Sequence, residues 1–276
     1  MRSDKFLTIA TRQLRKAGIG TARLDTLVLL EDVTGKDRTW LLAQGEFELS
    51  AVQTAKLKKL LNRRAEHEPL AYIRGKAEFY GREFVLTPDV LQPRPESETM
   101  IDLLKALPLF TSRQAKKGTQ LYIADVGAGS GALGITAALE VPGSAVELLE
   151  IDPNAAKIAK MNVDKFTLPT KVTISDLLAK ATQDYDVLLC NLPYVPDGFQ
   201  LNPAAMQEPR LAIFGGPDGL DIYRRLFKQV AELSNQPLYI LTEAMPPQHD
   251  ELTLIAGEAR YKLQQTEDFI QVFQAT

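Results

Sequence analysis

The sequence predicts an α/β fold in which a small helical region precedes a doubly wound, mainly parallel sheet. Apolar residues recur at helical spacing over residues 1–75, where no strand pattern competes. Apolar and polar residues alternate over 79–90, around Gly81-Arg82, which is typical of a β-hairpin. From Glu96 onward, helix-like and strand-like segments alternate, and this order favours a parallel sheet covered by helices. Because 276 residues suffice for two domains, we expect a helical domain over 1–75, a β-hairpin linker over 76–92 and an α/β domain over 93–276.

The helical region has an expected core and expected breaks. Candidate core positions are Leu7, Leu14, Leu24, Leu27, Val28 and Leu30. Gly18 and Gly20 end the first helix and Gly35 marks a later turn. The cluster Trp40-Leu41-Leu42 is expected to fill the helical core. A further helix is expected over 54–66, and Pro69 bounds it.

A glycine-rich loop joins the first expected strand of the α/β domain to the helix after it. The apolar run 121–124 leads into Asp125-Val126-Gly127-Ala128-Gly129-Ser130-Gly131, and residues 132–139 are good helix formers. Glycines at such a turn let the backbone approach a ligand closely, and the helix presents free N–H groups to it. The loop lacks the third glycine of the dinucleotide fingerprint at its expected place and has no Gly-Lys-Ser/Thr phosphate grip, which disfavours a pyrophosphate ligand.

A carboxylate ends the next expected strand. Glu150 follows the run 145–149 and lies 19 residues beyond Gly131, close to the roughly 20-residue offset expected for an acid that binds ribose hydroxyls. The ligand indicated is nucleoside-like and need not carry phosphates, which fits S-adenosylmethionine. An alternative stays open, in which Glu150 and Asp152 cap the helix that starts near Pro153.

A second motif, Asn191-Leu192-Pro193-Tyr194, follows a run over 185–190 that suits a buried parallel strand. Ligand crevices open at the carboxyl ends of such strands. The side-chain oxygen of Asn191 and a backbone carbonyl before proline can both accept hydrogen bonds from one NH₂ group, while the aromatic ring supports a planar group. Together the two motifs indicate methyl transfer to a planar nitrogen, helped by orientation and proximity rather than by a metal.

Several further segments carry a resemblance to a known family. They are Arg63-Arg64; Glu68-Pro69-Leu70-Ala71-Tyr72-Ile73 with Gly75; Phe79-Tyr80-Gly81; Gln92-Pro93-Arg94-Pro95-Glu96-Ser97-Glu98; Glu208-Pro209-Arg210-Leu211-Ala212; Phe214-Gly215-Gly216; and Asp218-Gly219-Leu220-Asp221. With the two motifs above, they resemble the HemK family, the glutamine N5-methyltransferases that act on peptide chain release factors. The resemblance is close over residues 60–225 and holds elsewhere in outline.

The resemblance implies a fold, a cofactor and a partner. The fold is a Rossmann-like class I methyltransferase domain with a small N-terminal helical domain, joined by a β-hairpin. The cofactor is S-adenosyl-L-methionine, and the substrate is the glutamine of the Gly-Gly-Gln motif in class I peptide chain release factors. A basic cluster near the end of the helical region is then a docking surface for the factor; read without the resemblance, it is a solvated helix face. Its members are Lys56, Lys58, Lys59, Arg63 and Arg64.

The same resemblance assigns roles to the site residues. The implied cofactor contacts are Gly127, Gly129 and Gly131 at the methionine part, Asp125 near its amino group, Glu150 at the ribose, Asp176 at the adenine, and Asn191. For Asp176, a helix cap at Leu177 stays open as an alternative. The implied catalytic segment consists of Asn191 and the Leu192 carbonyl, which bind the target amide, and of Pro193 and Tyr194, which shape the pocket. Phe79, Arg94 and Glu96 are expected to close the substrate pocket.

One position departs from the family, whose members typically carry Asn-Pro-Pro-Tyr where this chain has Leu192. Leucine supplies the same main-chain carbonyl, and Pro193 still biases Leu192 towards an extended conformation. Asn-Leu-Pro-Tyr also resembles the equivalent segment of ribosomal RNA adenine dimethyltransferases, so an adenine N6-methyltransferase acting on RNA or DNA is the alternative. The segments at 94–98 and 208–210 favour the glutamine family. A binding protein without activity is disfavoured because the glycine loop, the ribose acid and the substrate asparagine occur together.

Charge gives an independent indication. The chain has 32 Lys+Arg against 35 Asp+Glu and an isoelectric point near 5.6. Extensive phosphate contact calls for a basic excess, so nucleic acid is not expected as the main substrate.

The remaining features predict an ordinary cytoplasmic protein. Cys190, the single cysteine, is expected to be a buried thiol rather than a nucleophile. His67 and His249 lie far apart, so no metal site is expected. The sequence shows no signal peptide and no apolar run of about 18 residues, which predicts no membrane association. The polar stretch 112–118 is expected to be a surface loop.

Overall fold

A computed structural model describes residues 1–111 and 120–276, so the loop expected over 112–118 lies outside the described residues. The described residues divide into two compact units. The helical unit consists of Met1–Lys76 together with Leu201–Gln207, and the sheet unit consists of Ala77–Gln200 and Glu208–Thr276. Sequence reasoning assigned 201–207 to the α/β domain. The structure instead groups this segment with the helices, where the Gln207 side chain donates to the Glu66 carbonyl at 2.8 Å.

The helical unit contains five helices, whose ends follow local capping rules. They are α1 (Ser3–Lys16), α2 (Ala22–Thr34), α3 (Arg38–Ala43), α4 (Ala51–Ala65) and α5 (Leu70–Arg74). Asp37 caps α3 by accepting from the Trp40 N–H, and Ser50 forms a capping box with Gln53 at the start of α4. The helix expected over 54–66 therefore begins three residues earlier, at the residue that follows its cap.

The core of this unit contains some of the predicted residues but not all of them. Leu14, Leu27 and Leu30 are buried as expected, and Leu7 is partly buried. Leu24 and Leu42 were expected in the core, but both are 47% exposed. On the leucine-rich α2, residues 22, 26, 29 and 30 face the core, so Leu29 is buried while Leu24 lies on the opposite face. Of the cluster at 40–42, Leu41 is the fully buried member.

A buried ion pair links α2 to α4. The Arg64 Nε donates to Asp25 Oδ2 at 2.7 Å, and the two side chains are 11% and 5% exposed. Arg64 also donates to the Glu68 carbonyl at 3.1 Å, and Arg63 is paired with the Glu68 carboxylate. Two of the five cations in the expected basic cluster are therefore engaged inside the unit, which leaves Lys56, Lys58 and Lys59 to form its exposed charge.

Replacing Asp25 with Ala is expected to cost about 3–5 kcal/mol of unfolding free energy, because the Arg64 guanidinium would stay buried without its carboxylate. The matched control is Arg38→Ala, which removes a more exposed ion pair with Glu31 in the same unit and is expected to cost about 1 kcal/mol or less. Urea unfolding of both variants measures the difference, and equal losses would contradict the role given to the buried pair.

A β-hairpin formed by β1 (Lys76–Phe79) and β2 (Arg82–Val85) leads into the sheet unit. Tyr80 and Gly81 form its two-residue turn with φ of 50° and 69°, as a type I′ turn requires. The turn therefore lies one residue before the expected Gly81-Arg82, and β2 ends at Val85 rather than reaching residue 90. The Asn162 side chain accepts from the Val85 N–H at 2.7 Å and donates to the Ser130 carbonyl at 2.9 Å, so it joins the hairpin to the glycine loop.

The sheet unit is built around seven strands in the order β5-β4-β3-β6-β7-β9-β8. Strands β3 to β7 are parallel, while β9 runs antiparallel to both β7 and β8. The strands are β3 (Leu121–Val126), β4 (Ser144–Glu150), β5 (Lys171–Ile174), β6 (Val187–Cys190), β7 (Tyr239–Glu243), β8 (Tyr261–Glu267) and β9 (Ile270–Ala275), and the helices are α6 (Glu98–Ala106), α7 (Pro108–Thr111), α8 (Ala132–Glu140), α9 (Pro153–Lys165), α10 (Asp221–Ala231) and α11 (His249–Glu258). The predicted α/β fold with a mostly parallel sheet is confirmed.

Both faces of the sheet are covered by apolar cores. Ile123 packs into one core, while its neighbours Ala124 and Val126 pack into the other. Cys190 is completely buried in the second core, where burial raises its pKa well above the usual thiol value. The expected buried thiol is therefore confirmed. No helix among residues 1–111 and 120–276 is long and apolar enough to cross a membrane.

Candidate active site

Two cavities open at the carboxyl edge of the parallel strands. The register places Val126 opposite both Leu149 and Cys190, so the segments after β3, β4 and β6 meet at one edge. The larger cavity has a volume of about 130 Å³ and the smaller a volume of about 60 Å³. The two cavities share four lining residues, Leu91, Gly127, Gly129 and Asn191. They therefore form two parts of one cleft.

Two glycines of the loop line both cavities. Gly127 has φ of +75°, which favours glycine, and a Cβ there would lie 2.8 Å from the end of the Leu192 side chain, which would have to shift. Gly129 has open space where a Cβ would stand, and its N–H donates to Glu150 Oε2 at 2.7 Å. The loop is thus held against the carboxylate at the end of the next strand.

Gly131 has a different position from the one expected. It is not among the residues that line either of these two cavities. A Cβ at Gly131 would lie 3.0 Å from the Leu148 side chain and 3.5 Å from the Ala159 backbone. This glycine therefore serves the close packing of α8 and α9 against β4.

Glu150 faces the larger cavity, as the ribose assignment requires. It is 7% exposed, and its two carboxylate oxygens accept N–H bonds from Gly129 and Asp152 at 2.7 and 2.9 Å. Burial raises the pKa of Glu150, and these N–H bonds oppose the rise. Each oxygen keeps a further lone pair for a ligand hydroxyl. The capping role belongs to Asp152 alone, since its side chain accepts from the Asn154 N–H at 2.7 Å.

Asp125 lies beneath the glycine loop and lines the smaller cavity. It is 2% exposed, and its Oδ2 accepts from the Gly134 N–H in the first turn of α8 at 2.7 Å. Burial raises the pKa of Asp125 to about 7; the Gly134 N–H opposes this rise, and the nearby Glu150 charge adds to it. A cationic group in the smaller cavity would stabilise the ionised carboxylate.

Asp176 lines the larger cavity beyond β5, but its carboxylate is engaged. Its Oδ2 accepts from Arg225 Nη2 at 2.5 Å, and both side chains are about half exposed. No helix begins at Leu177, where the chain forms a turn, so the cap alternative is wrong. Any contact between Asp176 and an adenine would have to share the carboxylate with Arg225.

Asn191 stands where the two cavities meet, and a chain of hydrogen bonds holds it. Its Nδ2 donates to Ser97 Oγ at 2.8 Å, and Ser97 Oγ donates to Glu243 Oε2 at 2.5 Å. Tyr194 donates from its hydroxyl to Glu243 Oε1 at 3.1 Å. Burial, and then the Glu243 charge, raises the pKa of Tyr194 above its usual value, so the hydroxyl keeps its proton. The Asn191 nitrogen is therefore engaged by Ser97, which leaves Oδ1 for a ligand.

The backbone of the catalytic segment is held by Tyr223 of α10, which is completely buried. Its hydroxyl lies 2.9 Å from the Cys190 carbonyl and 2.6 Å from the Glu243 carbonyl, and it accepts from the Leu192 N–H at 3.4 Å. The proline of the usual family motif has no N–H for this last contact. Leu192 is 2% exposed and lines the larger cavity through its side chain.

The three expected pocket residues behave differently. Phe79 is 1% exposed and lines the smaller cavity, together with Arg94. Arg94 donates to Glu208 Oε1 at 2.7 Å, which ties the segment at 92–94 to the segment at 208–210. Glu96 is exposed and lines neither of the two cavities. The 3₁₀ turn Pro95–Ser97 buries Ser97 instead, and Ser97 contacts Asn191.

Sequence reasoning missed four residues that organise the site, namely Ser97, Glu243, Tyr223 and Asn162. Glu243 ends β7 at the same edge of the sheet at which Asn191 follows β6, so an acid at the end of a buried strand was an available signal. Tyr223 and Asn162 lie within helices and offered no such signal. No cluster of three or more His, Cys, Asp or Glu suited to a metal occurs among the residues that the structure describes.

The cleft fits S-adenosylmethionine on the chemistry of its polar groups. Glu150 presents carboxylate lone pairs to the larger cavity, as ribose hydroxyls require, and Asp125 presents a buried carboxyl to the smaller cavity, where an ammonium group would offset its burial. Gly127 and Gly129 allow a ligand to lie directly on the backbone between them.

Cofactor binding is expected to strengthen as the pH rises from about 6 to about 7.5, because Asp125 ionises in this window and its charge attracts the ammonium group. The sign is opposite for folding of the apoprotein: a carboxyl pKa raised from 3.8 to about 7 stabilises the folded state below pH 3.8, and this contribution is lost as the pH rises through about 7.

Isothermal titration calorimetry of wild type, Asp125→Asn and Asp152→Asn at both pH values tests the Asp125 assignment. The Asp125→Asn variant should lose most of the pH dependence, since its amide oxygen still accepts from Gly134 while the charge is gone. Asp152→Asn, a change at the helix cap in the same cleft, should retain it. Equal pH dependence in all three proteins would remove Asp125 from the ammonium site.

Comparisons with known proteins agree on one family. A family model described as PrmC N-terminal domain matches residues 5–75, and one described as Methyltransferase small domain matches residues 100–208. The chain is 35% identical over 229 residues to a release factor glutamine methyltransferase of Koribacter versatilis, a match that covers 81% of this chain and 79% of that protein. The protein of the same name from Geobacter sulfurreducens is 33% identical over 243 residues, covering 87% and 82%.

Solved structures support the fold. The hMettl16 catalytic domain in complex with MAT2A 3′UTR hairpin 1 matches with a TM-score of 0.53 at 15% identity, covering 91% of each chain. A 16S rRNA methyltransferase (RsmC) of T. thermophilus, in complex with AdoMet and guanosine, matches with a TM-score of 0.51 at 17% identity, covering 73% of this chain and 50% of that one. These identities show a shared fold alone. The curated relatives, by contrast, exceed 30% identity over most of both chains, and the chain therefore belongs to the release factor glutamine methyltransferase family.

Proposed function

We propose that this protein transfers a methyl group from S-adenosylmethionine to the side-chain amide nitrogen of the glutamine in the Gly-Gly-Gln motif of class I peptide chain release factors. The observation that carries the proposal is the Asn191 amide, held with its nitrogen on Ser97 so that its oxygen is left for a substrate NH₂ group. Family membership supports the choice of glutamine and of a release factor as partner. Because the substrate is a translation factor, the cytoplasm is the proposed place of action.

The cofactor supplies an electrophilic methyl group on a sulfonium, and the protein contributes its placement. Glu150 would hold the ribose hydroxyls and Asp125 the ammonium group, which leaves the sulfonium region between the two cavities. Gly127 and Asn191 line both cavities and so bracket this point. The chain thus brings the donor and the acceptor nitrogen together, which converts an encounter in solution into a fixed geometry.

The acceptor nitrogen is oriented by two oxygens. Asn191 Oδ1 and the Leu192 carbonyl oxygen accept one N–H bond each from the glutamine amide, which aims the face of the nitrogen at the methyl group. When the methyl group passes from sulfur to this nitrogen, the sulfur would keep the electron pair of the broken C–S bond, and one of the two amide protons would leave the nitrogen for solvent water. Because the two acceptors are already in place before substrate binds, they need no reorganisation during the reaction. Tyr194, whose hydroxyl is held by Glu243, would flank the planar amide.

The adenine alternative receives no support from the curated relatives, whose shared name specifies glutamine. The structural likeness to RNA methyltransferases is one of fold. Within the sheet unit, the ion pair between Arg94 and Glu208 joins the two segments that distinguish the glutamine family from the adenine enzymes. Leu192 in place of proline is compatible with either substrate, since only its carbonyl is required.

Methyl transfer from labelled S-adenosylmethionine to a purified class I release factor tests the proposal directly. We expect label on the native factor and none on a factor whose Gly-Gly-Gln glutamine is replaced by alanine. A structured ribosomal RNA serves as the competing substrate. Label on the RNA and not on the native factor would move this chain to the adenine class.

Asn191→Ala is expected to lower kcat by about 100-fold or more, because one of the two acceptors that orient the amide is lost. The dissociation constant of the cofactor should change by less than about threefold, since Asn191 acts on the amide rather than on the sulfonium. Single-turnover kinetics and calorimetry separate the two effects. A parallel loss of turnover and cofactor affinity would contradict the assigned role.

A further inference from the structure

We infer that Ser97 and Glu243 are positioning residues that set the orientation of the Asn191 amide and so let the enzyme distinguish glutamine from glutamate. The inference rests on the proposed function. Neither residue was expected to take part from the sequence pattern, and Glu243 lines neither of the two cavities described above. Ser97 lines the smaller cavity, so it is Glu243 whose influence on the substrate passes through Ser97 and Asn191.

With Glu243 ionised, the hydrogen-bond chain allows one direction of donation. Ser97 is 3% exposed and Glu243 is 1% exposed, so water has little access to either side chain. The Ser97 hydroxyl has a single proton, which it gives to the Glu243 carboxylate at 2.5 Å. Its oxygen can then only accept from Asn191, and the Asn191 nitrogen occupies that position at 2.8 Å.

The reverse orientation of the amide is disfavoured because the only proton of the Ser97 hydroxyl is already donated to Glu243. If Asn191 turned over, its Oδ1 would meet the lone pairs of Ser97 with no hydrogen between the two oxygens. An unpaired polar contact in a buried site is costly. As long as Glu243 accepts the Ser97 proton, Asn191 therefore presents Oδ1, an acceptor, to the cleft.

Glu243 also holds the other end of the catalytic segment. Its second carboxylate oxygen accepts from the Tyr194 hydroxyl at 3.1 Å. Its backbone carbonyl and N–H both contact the Tyr223 hydroxyl, at 2.6 and 3.2 Å. The charged groups that act on Glu243 are Arg94 and Glu96 on the segment before α6. The carboxylate is thus fixed on both oxygens, which gives the Ser97 hydroxyl a rigid acceptor.

The orientation of Asn191 bears directly on substrate specificity. An acceptor at the Asn191 position favours an NH₂ donor, the glutamine amide, and repels the lone pairs of a glutamate carboxylate. With the amide reversed, Asn191 would instead donate to a carboxylate. Sites built around one hydrogen-bond polarity reject the opposite polarity strongly, because a buried partner is left unpaired. Ser97 and Glu243 therefore let the enzyme discriminate between glutamine and glutamate by fixing the orientation of the Asn191 amide.

The test uses the release factor and its variant in which the Gly-Gly-Gln glutamine is replaced by glutamate, the latter as a competitive inhibitor. In Glu243→Gln, the amide can present NH₂ to Ser97, which frees the hydroxyl to donate to a reversed Asn191. We expect kcat for the native factor to fall about tenfold or more, and the inhibition constant of the glutamate factor to fall about tenfold. Ser97→Ala should change both constants in the same directions.

Three measurements separate positioning from a loss of folding. Ser97→Thr retains the hydroxyl and should restore near-wild-type values. Thr242→Val removes a buried hydroxyl without a hydrogen-bond partner in the described structure, next to Glu243 on the same strand, and should leave both constants unchanged. Calorimetry should find cofactor affinity within about threefold of wild type in Glu243→Gln.

The outcomes distinguish this inference from the proposed function. A wild-type protein that fails to methylate the native factor would overturn both. A wild-type protein that methylates the factor, with a glutamate-factor inhibition constant unchanged in both Glu243→Gln and Ser97→Ala, would overturn the positioning role alone. A shift of that constant in Thr242→Val as large as in Glu243→Gln would also overturn the positioning role.

Discussion

The candidate site depends on the parallel pairing of β3 with β4 and with β6. Parallel strands present their carboxyl ends at one edge of the sheet, and the register sets Val126 level with Leu149 and Cys190. The glycine loop, Glu150 and Asn191 therefore converge, although they lie far apart in the sequence. The antiparallel β9 lies beyond β7 and does not interrupt this edge.

Three acidic side chains at this edge, Asp125, Glu150 and Glu243, are buried and are stabilised by specific donors. Glu150 accepts from two backbone N–H groups, Asp125 accepts from the first turn of α8, and Glu243 accepts from two hydroxyls. Burial raises the pKa of all three, and the hydrogen bonds to Glu150 and Glu243 oppose the rise, as does the Gly134 N–H for Asp125. The side chains are therefore fixed before any ligand arrives, a condition under which polar groups act most effectively.

The glycine loop and the catalytic segment are also coupled to each other by packing. The Leu192 side chain occupies the space next to Gly127, where a Cβ would collide with it. The residue that departs from the usual family motif therefore also packs against the glycine loop. Gly131 contributes differently, because the contacts of its missing Cβ are with β4 and α9 rather than with a cavity. Glycines that look equivalent in a motif thus perform separate tasks.

The sequence by itself determined the order of helices and strands, the glycine loop, the acid after β4 and the asparagine after β6, because these features depend on local periodicity and on residues near strand ends. It also indicated the family, through the residues of several short segments. The tertiary structure alone decided that Ser97 rather than Glu96 faces Asn191, that Leu24 lies outside the core, and that Glu243 and Tyr223 hold the catalytic segment. These facts depend on the rotation of helices and on contacts between residues that are distant in the sequence. A local sequence pattern does not specify which residue of a turn will contact a strand from another part of the chain.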